Sequence, residues 1–499
     1  MSVCKRLDFC FTGKARRWVT VVIAILDTLS FTGIHYGFNS LTSAYSSLGV
    51  FASYCNGDNC EGQTKMFSYV FMVANLVNLI LVPLCGLLLD KGGLRVAKLV
   101  NICLTFAGAL MFGFADGSTG YILYPAMILV SVSGNIGLIC NQQASSLFPR
   151  YRGLIVSLIS GAYDSSTVVD FIASRTFPRI SFKVTFAILA CCALVCGLFE
   201  ALFLLTQYSS GMAKLAADQN LLKGDGLEED VTENTSVEQG EKEVMDEVRS
   251  GLGGESVDQK VQEIIVSRYP TLKSCFRSYP FLLGTLWYTF GQVRFSYFLA
   301  QLSKLLNDSF PGNSSLVNKL LEDSTIFTMC GIVMGVIVGA ILDACRNAER
   351  RRLASLISSS GKQTSDDQIY WIYLRALAPP VTLMACCSLI LSCILFVRGQ
   401  QAVFYVAFFF LLVFRSLLTS TLMTLAISSF PTQSFGIVVG VMCVIAGAVS
   451  TVQYGLLELS ITTSHIICVV ISALTFIPPI ILFVKSGQSN KRGYSKDEI

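Results

Sequence analysis

Charge is what this 499-residue chain has little of. Asp, Glu, Lys and Arg together make up 14%, hydrophobic residues make up 53%, and mean hydropathy is +0.60. Soluble domains carry about a quarter charged residues, so there is too little charge here to coat a soluble globule. Histidine is almost absent: His35 and His465 are the only two. With no CxxC pair and no Cys/His cluster, zinc-ligand spacing is lacking, and no metal is expected. There is no GxxxxGK[ST] loop for ATP, no HExxH and no GxSxG. Gly361-Lys362 is followed by Gln363, which breaks the phosphate-loop pattern. A formal charge of +4 is too small to imply nucleic acid. No enzyme class and no cofactor is expected from these residues.

What is present is long apolar runs. A membrane helix needs about 20 predominantly apolar residues. Twelve runs approach or exceed that length: 18–38, 67–89, 98–115, 121–147, 153–174, 184–205, 281–302, 324–342, 377–397, 402–427, 436–457 and 465–484. If the N-terminus is cytosolic, 28 of the 37 Lys and Arg residues fall on the inner side, 7 fall outside and 2 lie within spans. That excess predicts both termini in the cytosol. Lys5, Arg6, Lys14, Arg16 and Arg17 precede a first run too long for a signal-peptide core, which reads as an uncleaved helix.

Residues 207–278 part six runs from six and hold 14 of the 33 acidic residues, so they read as a cytosolic acidic linker with some helix near 255–268. The expected organisation is a cytosolic N-terminus (1–17), a six-helix bundle (18–206), this linker, a second six-helix bundle (279–485) and a cytosolic tail (486–499). The halves echo each other. Gly86-Leu87-Leu88-Leu89-Asp90 ends the second run, and Gly339-Ala340-Ile341-Leu342-Asp343 ends the eighth. Ser145 to Pro149 with Gly153 is matched by Ser428 to Pro431 with Gly436. Two features in matching order point to duplicated halves with a solute site between them. An all-α membrane protein of twelve helices in two pseudo-symmetric bundles follows. Without a nucleotide site, it would move a small organic solute down a gradient.

Ionisable residues deep in a membrane cost about 2.5–3.5 kcal/mol on insertion scales, so they are read as functional by default. Asp27, Asp164, Arg294 and Arg415 lie mid-span in the first, fifth, seventh and tenth runs. The planar fork of Arg294 suits a solute carboxylate. Asp27 and Asp164 are candidates to orient an amine or balance charge, and Arg415 to balance charge between helices. Buried ion pairs among the four are the plainer alternative. Asn135, Tyr163, Gln292 and Tyr297 are further solute-contact candidates, with Phe31 beside them. Gly33 and Gly37 loosen the first span, and Gly331, Gly335 and Gly339 form a close-packing face. Asp90 and Asp343 end helices where the dipole disfavours an anion. Each needs compensation from a nearby base, such as Arg95 for Asp90, or from another helix's N-terminus. With Gly86, Arg95 and Gly339 they are candidate gating residues. Cys55 and Cys60 sit in the first outer loop and are candidates for a disulfide. Asn307 and Asn313 lie in acceptor sequons of an outer loop. These features suggest the plasma membrane.

Gly86-x3-Asp90-Lys91-x-Gly93-x-Arg95 resembles the cytoplasmic loop motif of the major facilitator superfamily. Leu26 to Leu41, Leu147 to Ser166, and Arg415 with Ser429 to Gly436 resemble the branch that holds the sodium-independent large-neutral-amino-acid transporters and the equilibrative nucleobase transporter. The resemblance implies the major facilitator fold and facilitative transport by alternating access. Asp27 stands where that branch usually has Glu. Gly161 to Ser166 is closer to the nucleobase member, and Gly291 to Phe295 to the amino-acid members. Because Arg294 suits a carboxylate, a neutral amino acid is the expected solute. A nucleobase is the alternative, and a non-transporting receptor on the same fold is a third reading.

Overall fold

The computed structural model describes residues 14–55, 61–148, 151–206, 257, 260–311, 313–359, 365–397 and 399–485. The first apolar run is not one smooth helix. α1 (Lys14–Asp27) passes into a π-helical turn (Thr28–Thr32), a 3-10 turn (Ile34–Gly37) and α2 (Phe38–Ser47). The breaks surround Gly33 and Gly37. A Cβ on Gly33 would sit 2.2 Å from the Tyr163 carbonyl oxygen, and one on Gly37 2.7 Å from the Asp170 Cβ. Glycine at 33 lets the first span touch the backbone of the fifth, and at 37 it makes room for the Asp170 side chain.

The second span is α3 (Glu61–Leu87), closed by a π-helical turn (Leu88–Gly92). α4 (Leu94–Gly113) and α5 (Leu123–Gln142) form the third and fourth. α6 (Arg152–Ser165) and α7 (Thr167–Thr176) share the fifth. α8 (Phe182–Phe199) with a π-helical turn (Glu200–Leu204) is the sixth. After α9 (Leu272–Phe276) come α10 (Tyr279–Ser309), then α11 (Ser314–Met329) with α12 (Gly331–Ser359), and α13 (Asp366–Arg375) with α14 (Ala378–Ile394). α15 (Gln401–Ser429), α16 (Phe435–Ser450) with α17 (Val452–Glu458), and α18 (Ile461–Leu474) complete the second half.

Among the described residues, nine helices are long and apolar enough to cross a membrane, and ten if the pair bent by 42° in the second span counts as one. The broken first span and α10 take the other two positions. The all-α membrane architecture is the expected one, and its helices are consistent with twelve spans. Of the acidic stretch, 207–256 lies outside the described residues. The helix at 260–268 is not free in solvent: Val261, Ile264, Ile265 and Tyr269 are buried in the core of the second half.

Two reciprocal contacts join the halves at one end. Asp90 accepts from the backbone N–H of Gly436 (3.0 Å) and Ile437 (2.9 Å) at the start of α16. Asp343 accepts from Gly153 and Leu154, each at 2.8 Å, at the start of α6. Each carboxylate caps the positive end of a helix in the other half. Asp90 does so from the last turn of its span, whereas Asp343, expected to end a helix, lies inside α12, which continues to Ser359. The compensation for Asp90 is a helix N-terminus. Arg95 turns elsewhere, its Nε donating to the carbonyls of Ala201 (3.2 Å) and Leu205 (3.1 Å).

Glycine makes these approaches possible. A Cβ on Gly86 would lie 2.1 Å from the Gly436 oxygen, and one on Gly339 would lie 2.5 Å from the Leu154 Cα. Gly331 and Gly335 continue the same face against Gly161 and Ser157. Above the caps, Val132, Ile136 and Ile139 of the first half share one apolar cluster with Met423, Ala426 and Ile427 of the second. This end of the molecule is closed.

Gly86→Val cannot be accommodated beside the Gly436 backbone without parting the halves. Cys85 is buried at this contact, so its labelling by a membrane-permeant maleimide, followed by peptide mass spectrometry, should become several-fold faster in that variant. Unchanged labelling in folded protein would show that the contact does not hold this end shut.

Candidate functional site

Midway through the fold, one ion pair crosses between the halves. Arg415, at the centre of α15, reaches Asp164 near the end of α6. Its Nε and Nη2 donate to Asp164 Oδ1 at 3.2 and 3.1 Å. The two side chains are only 11% and 6% exposed. Aromatic faces surround the guanidinium: the Phe295 ring lies 4.2 Å away and the Tyr36 ring 5.5 Å away. Tyr36 in turn meets Tyr163 edge-on at 5.6 Å, with His35 4.1 Å from Tyr36.

An amide chain runs from the same tyrosine. Tyr163 Oη donates to Asn135 Oδ1 at 3.4 Å, and Asn135 Nδ2 donates to Asn78 Oδ1 at 2.7 Å. Six spans therefore contribute to one patch: the first, second, fourth, fifth, seventh and tenth. Tyr36 is 38% exposed although it faces Arg415 of the opposite half.

Asp27 lies in a different cluster, inside the first bundle. Its Oδ2 accepts from Lys98 Nζ at 2.6 Å and from Asn141 Nδ2 at 2.7 Å. Lys98 also pairs with Glu200 at 2.8 Å and donates to Asn141 Oδ1 at 2.9 Å. Lys98 and Glu200 have no exposed surface. The first, third, fourth and sixth spans are tied together through this one ammonium. Two of its acids begin irregular turns: Asp27 precedes the π-helical turn Thr28–Thr32, and Glu200 opens the turn Glu200–Leu204. Such turns re-aim side chains where a regular helix could not.

Arg294 also stands apart from the central patch. Its Nε donates to Ser392 Oγ of α14 at 2.7 Å, and Phe298 lies 5.8 Å from its guanidinium carbon. Phe295, the next residue, faces Arg415. Successive helical residues are about 100° apart, so the two side chains leave α10 in different directions. Tyr297 is buried with Leu456 and Cys468. Gln292 is half-buried, its Nε2 3.4 Å from Ser296 Oγ. The central patch thus joins Asp164, Tyr163, Asn135 and Arg415, while Asp27, Arg294 and Tyr297 serve the interiors of the two bundles. Cys55 is disulfide-bonded, and Cys60 lies outside the described residues. Asn313 is exposed and its Oδ1 accepts from Leu316 N–H at the start of α11. The side chain of Asn307 is outside the described set.

Sequence reasoning passed over Lys98, Glu200 and Asn78. Lys98 sits at the edge of its apolar run and reads as one more inner-side cation. Glu200 lies in Gly197-Leu198-Phe199-Glu200-Ala201-Leu202, where a lone carboxyl in an apolar run was a visible signal. Removing one member of a buried ion pair costs about 3–5 kcal/mol. Lys98→Met should therefore lower the melting temperature of detergent-solubilised protein sharply, and Glu200→Gln in the same chain should recover part of the loss. A melting temperature unmoved by Lys98→Met would mean that the cluster does not hold the bundle.

No family model matches the chain. It is 23% identical over 493 residues to the equilibrative nucleobase transporter 1 of Bos taurus, covering 93% of this chain and 96% of that protein. Against the large neutral amino acids transporter small subunit 3 of Mus musculus it is 25% identical over 183 residues, a third of this chain (33%) and 31% of that one. Among solved structures, a proton:xylose symporter of the major facilitator superfamily superposes with a TM-score of 0.50 at 12% identity, over 93% of this chain and 95% of that one. The chain is a multi-pass membrane transporter with the major facilitator fold, and it resembles the branch in which nucleobase and large-neutral-amino-acid transporters stand.

Proposed function

We propose that the chain is a facilitative, sodium-independent carrier of a small uncharged planar solute of nucleobase type, working by alternating access with both termini on the cytosolic side of the plasma membrane. The observation that carries this reading is the composition of the central patch. Its two charges, Asp164 and Arg415, neutralise each other, so nothing there demands a charged ligand. Aromatic rings of Tyr36, Tyr163 and Phe295 offer stacking surfaces. The amides of Asn78 and Asn135 offer paired donors and acceptors suited to the edge of a heterocycle. The end-to-end similarity to a nucleobase transporter supports the same solute class.

A second reading has its own support. A zwitterionic amino acid would place its amine on Asp164 and its carboxylate on the fork of Arg415, splitting the pair. The partial similarity to a large-neutral-amino-acid transporter favours that option. In either case the solute replaces contacts between the halves, and the caps at Asp90 and Asp343 release when the molecule opens on the other side.

Side-by-side uptake of radiolabelled adenine and leucine into cells expressing the chain, with and without sodium, separates the two. Adenine uptake indifferent to sodium and reduced at least tenfold by Asp164→Asn is the expected result. Leucine uptake without adenine uptake would overturn the nucleobase assignment in favour of the zwitterion. Uptake of neither, with the protein at the cell surface, would overturn both.

A further inference from the structure

The buried guanidinium of Arg294 is not accounted for by the central patch. It is 1% exposed, in the middle of a span. Its Nε is satisfied by Ser392, but both Nη atoms are buried with no hydrogen-bond partner. Beside it stand Cys468 and Tyr297, and no carboxylate is paired with it among the described residues. A carboxyl in such a place could take up a proton and become neutral. A guanidinium cannot shed its charge in a protein. An unpaired ion in the interior costs several kcal/mol, so the charge calls for a counter-ion that none of the described residues supplies.

The surroundings limit what that ion can be. Ser392, which accepts from the guanidinium, belongs to a connected set of hydroxyls with Ser388 and Ser472, Ser472 Oγ lying 2.8 Å from each of the other two. Ser392 and Ser472 Oγ also lie 2.9 and 3.2 Å from the Ser388 carbonyl oxygen, so a hydroxyl hydrogen that rotates to donate toward an anion exchanges that carbonyl for it. The guanidinium, on α10, meets Ser392 of α14 and stands beside Cys468 of α18, away from Asp164 and Arg415. One uncompensated positive charge balances one negative charge. We propose that Arg294, supported by this serine set, holds a single small monovalent anion of halide size as a resident of the second bundle, separate from the transported solute.

Equilibrium binding of radiolabelled chloride to the purified full-length protein tests this directly. Saturable binding of one chloride per chain, lost in Arg294→Gln and weakened but kept in Arg294→Lys, is the expected result. Thermal unfolding in chloride against gluconate gives a second readout: the melting temperature should rise with chloride in the parent and in Arg294→Lys, and not in Arg294→Gln. Absence of saturable binding in the parent would overturn the proposal, and so would binding that survives Arg294→Gln. Displacement of the chloride by leucine would overturn it as well, because Arg294 would then be meeting a solute carboxylate.

Discussion

The Asp164–Arg415 pair is the constraint on which the arrangement of the two halves turns. Each residue comes from a different bundle and lies deep in the fold, and each would be a costly isolated charge without the other. Together they are neutral, oriented and ringed by aromatic faces. A solute that binds at this level has to work with the pair or against it. That places recognition and the relative position of the halves in the same few side chains, so binding at this patch can bias which conformation is favoured.

A buried charge cluster makes the first bundle a body that can move as a unit. Lys98 gathers Asp27, Glu200 and Asn141 from four spans of the first half. This is a poor place for a mobile solute and a good one for rigidity. At the closed end, the contacts are of a different kind. Asp90 and Asp343 cap helices across the interface, where glycines bring backbones within reach. Carboxylate-to-backbone bonds of this sort can be exchanged for water when that end opens, at a cost spread over four hydrogen bonds. A strong charge cluster holds the first half, and replaceable caps join the two halves at one end.

Much of the fold was legible from the residues. The twelve apolar runs, the echo of Gly86–Asp90 in Gly339–Asp343 and the packing face at Gly331, Gly335 and Gly339 all correspond to observed elements. These are features of hydropathy and of short spacing, which survive without knowledge of tertiary contacts. Partner choice was less legible. Asp164 and Arg415 were visible as deep charges, but that they meet each other depends on helix rotation, which no span of apolar residues encodes. Arg294 shows the same limit: its neighbour Phe295 faces the central patch and Arg294 faces α14. Lys98 was hidden because it lies at the edge of a run, where a cation looks like part of a loop. The break after Asp27 was signalled only by Gly33 and Gly37, and the π-helical turn at Glu200 had no comparable signature.

The most direct test of the central claim is a double-mutant cycle on Asp164 and Arg415, read as thermal stability of the purified protein. If the two residues neutralise each other across the halves, Asp164→Asn and Arg415→Gln each destabilise strongly. The double variant then melts higher than the sum of the two losses allows, with a coupling of at least about 1 kcal/mol. Strictly additive losses would contradict the account, since the two charges would then be serving separate partners.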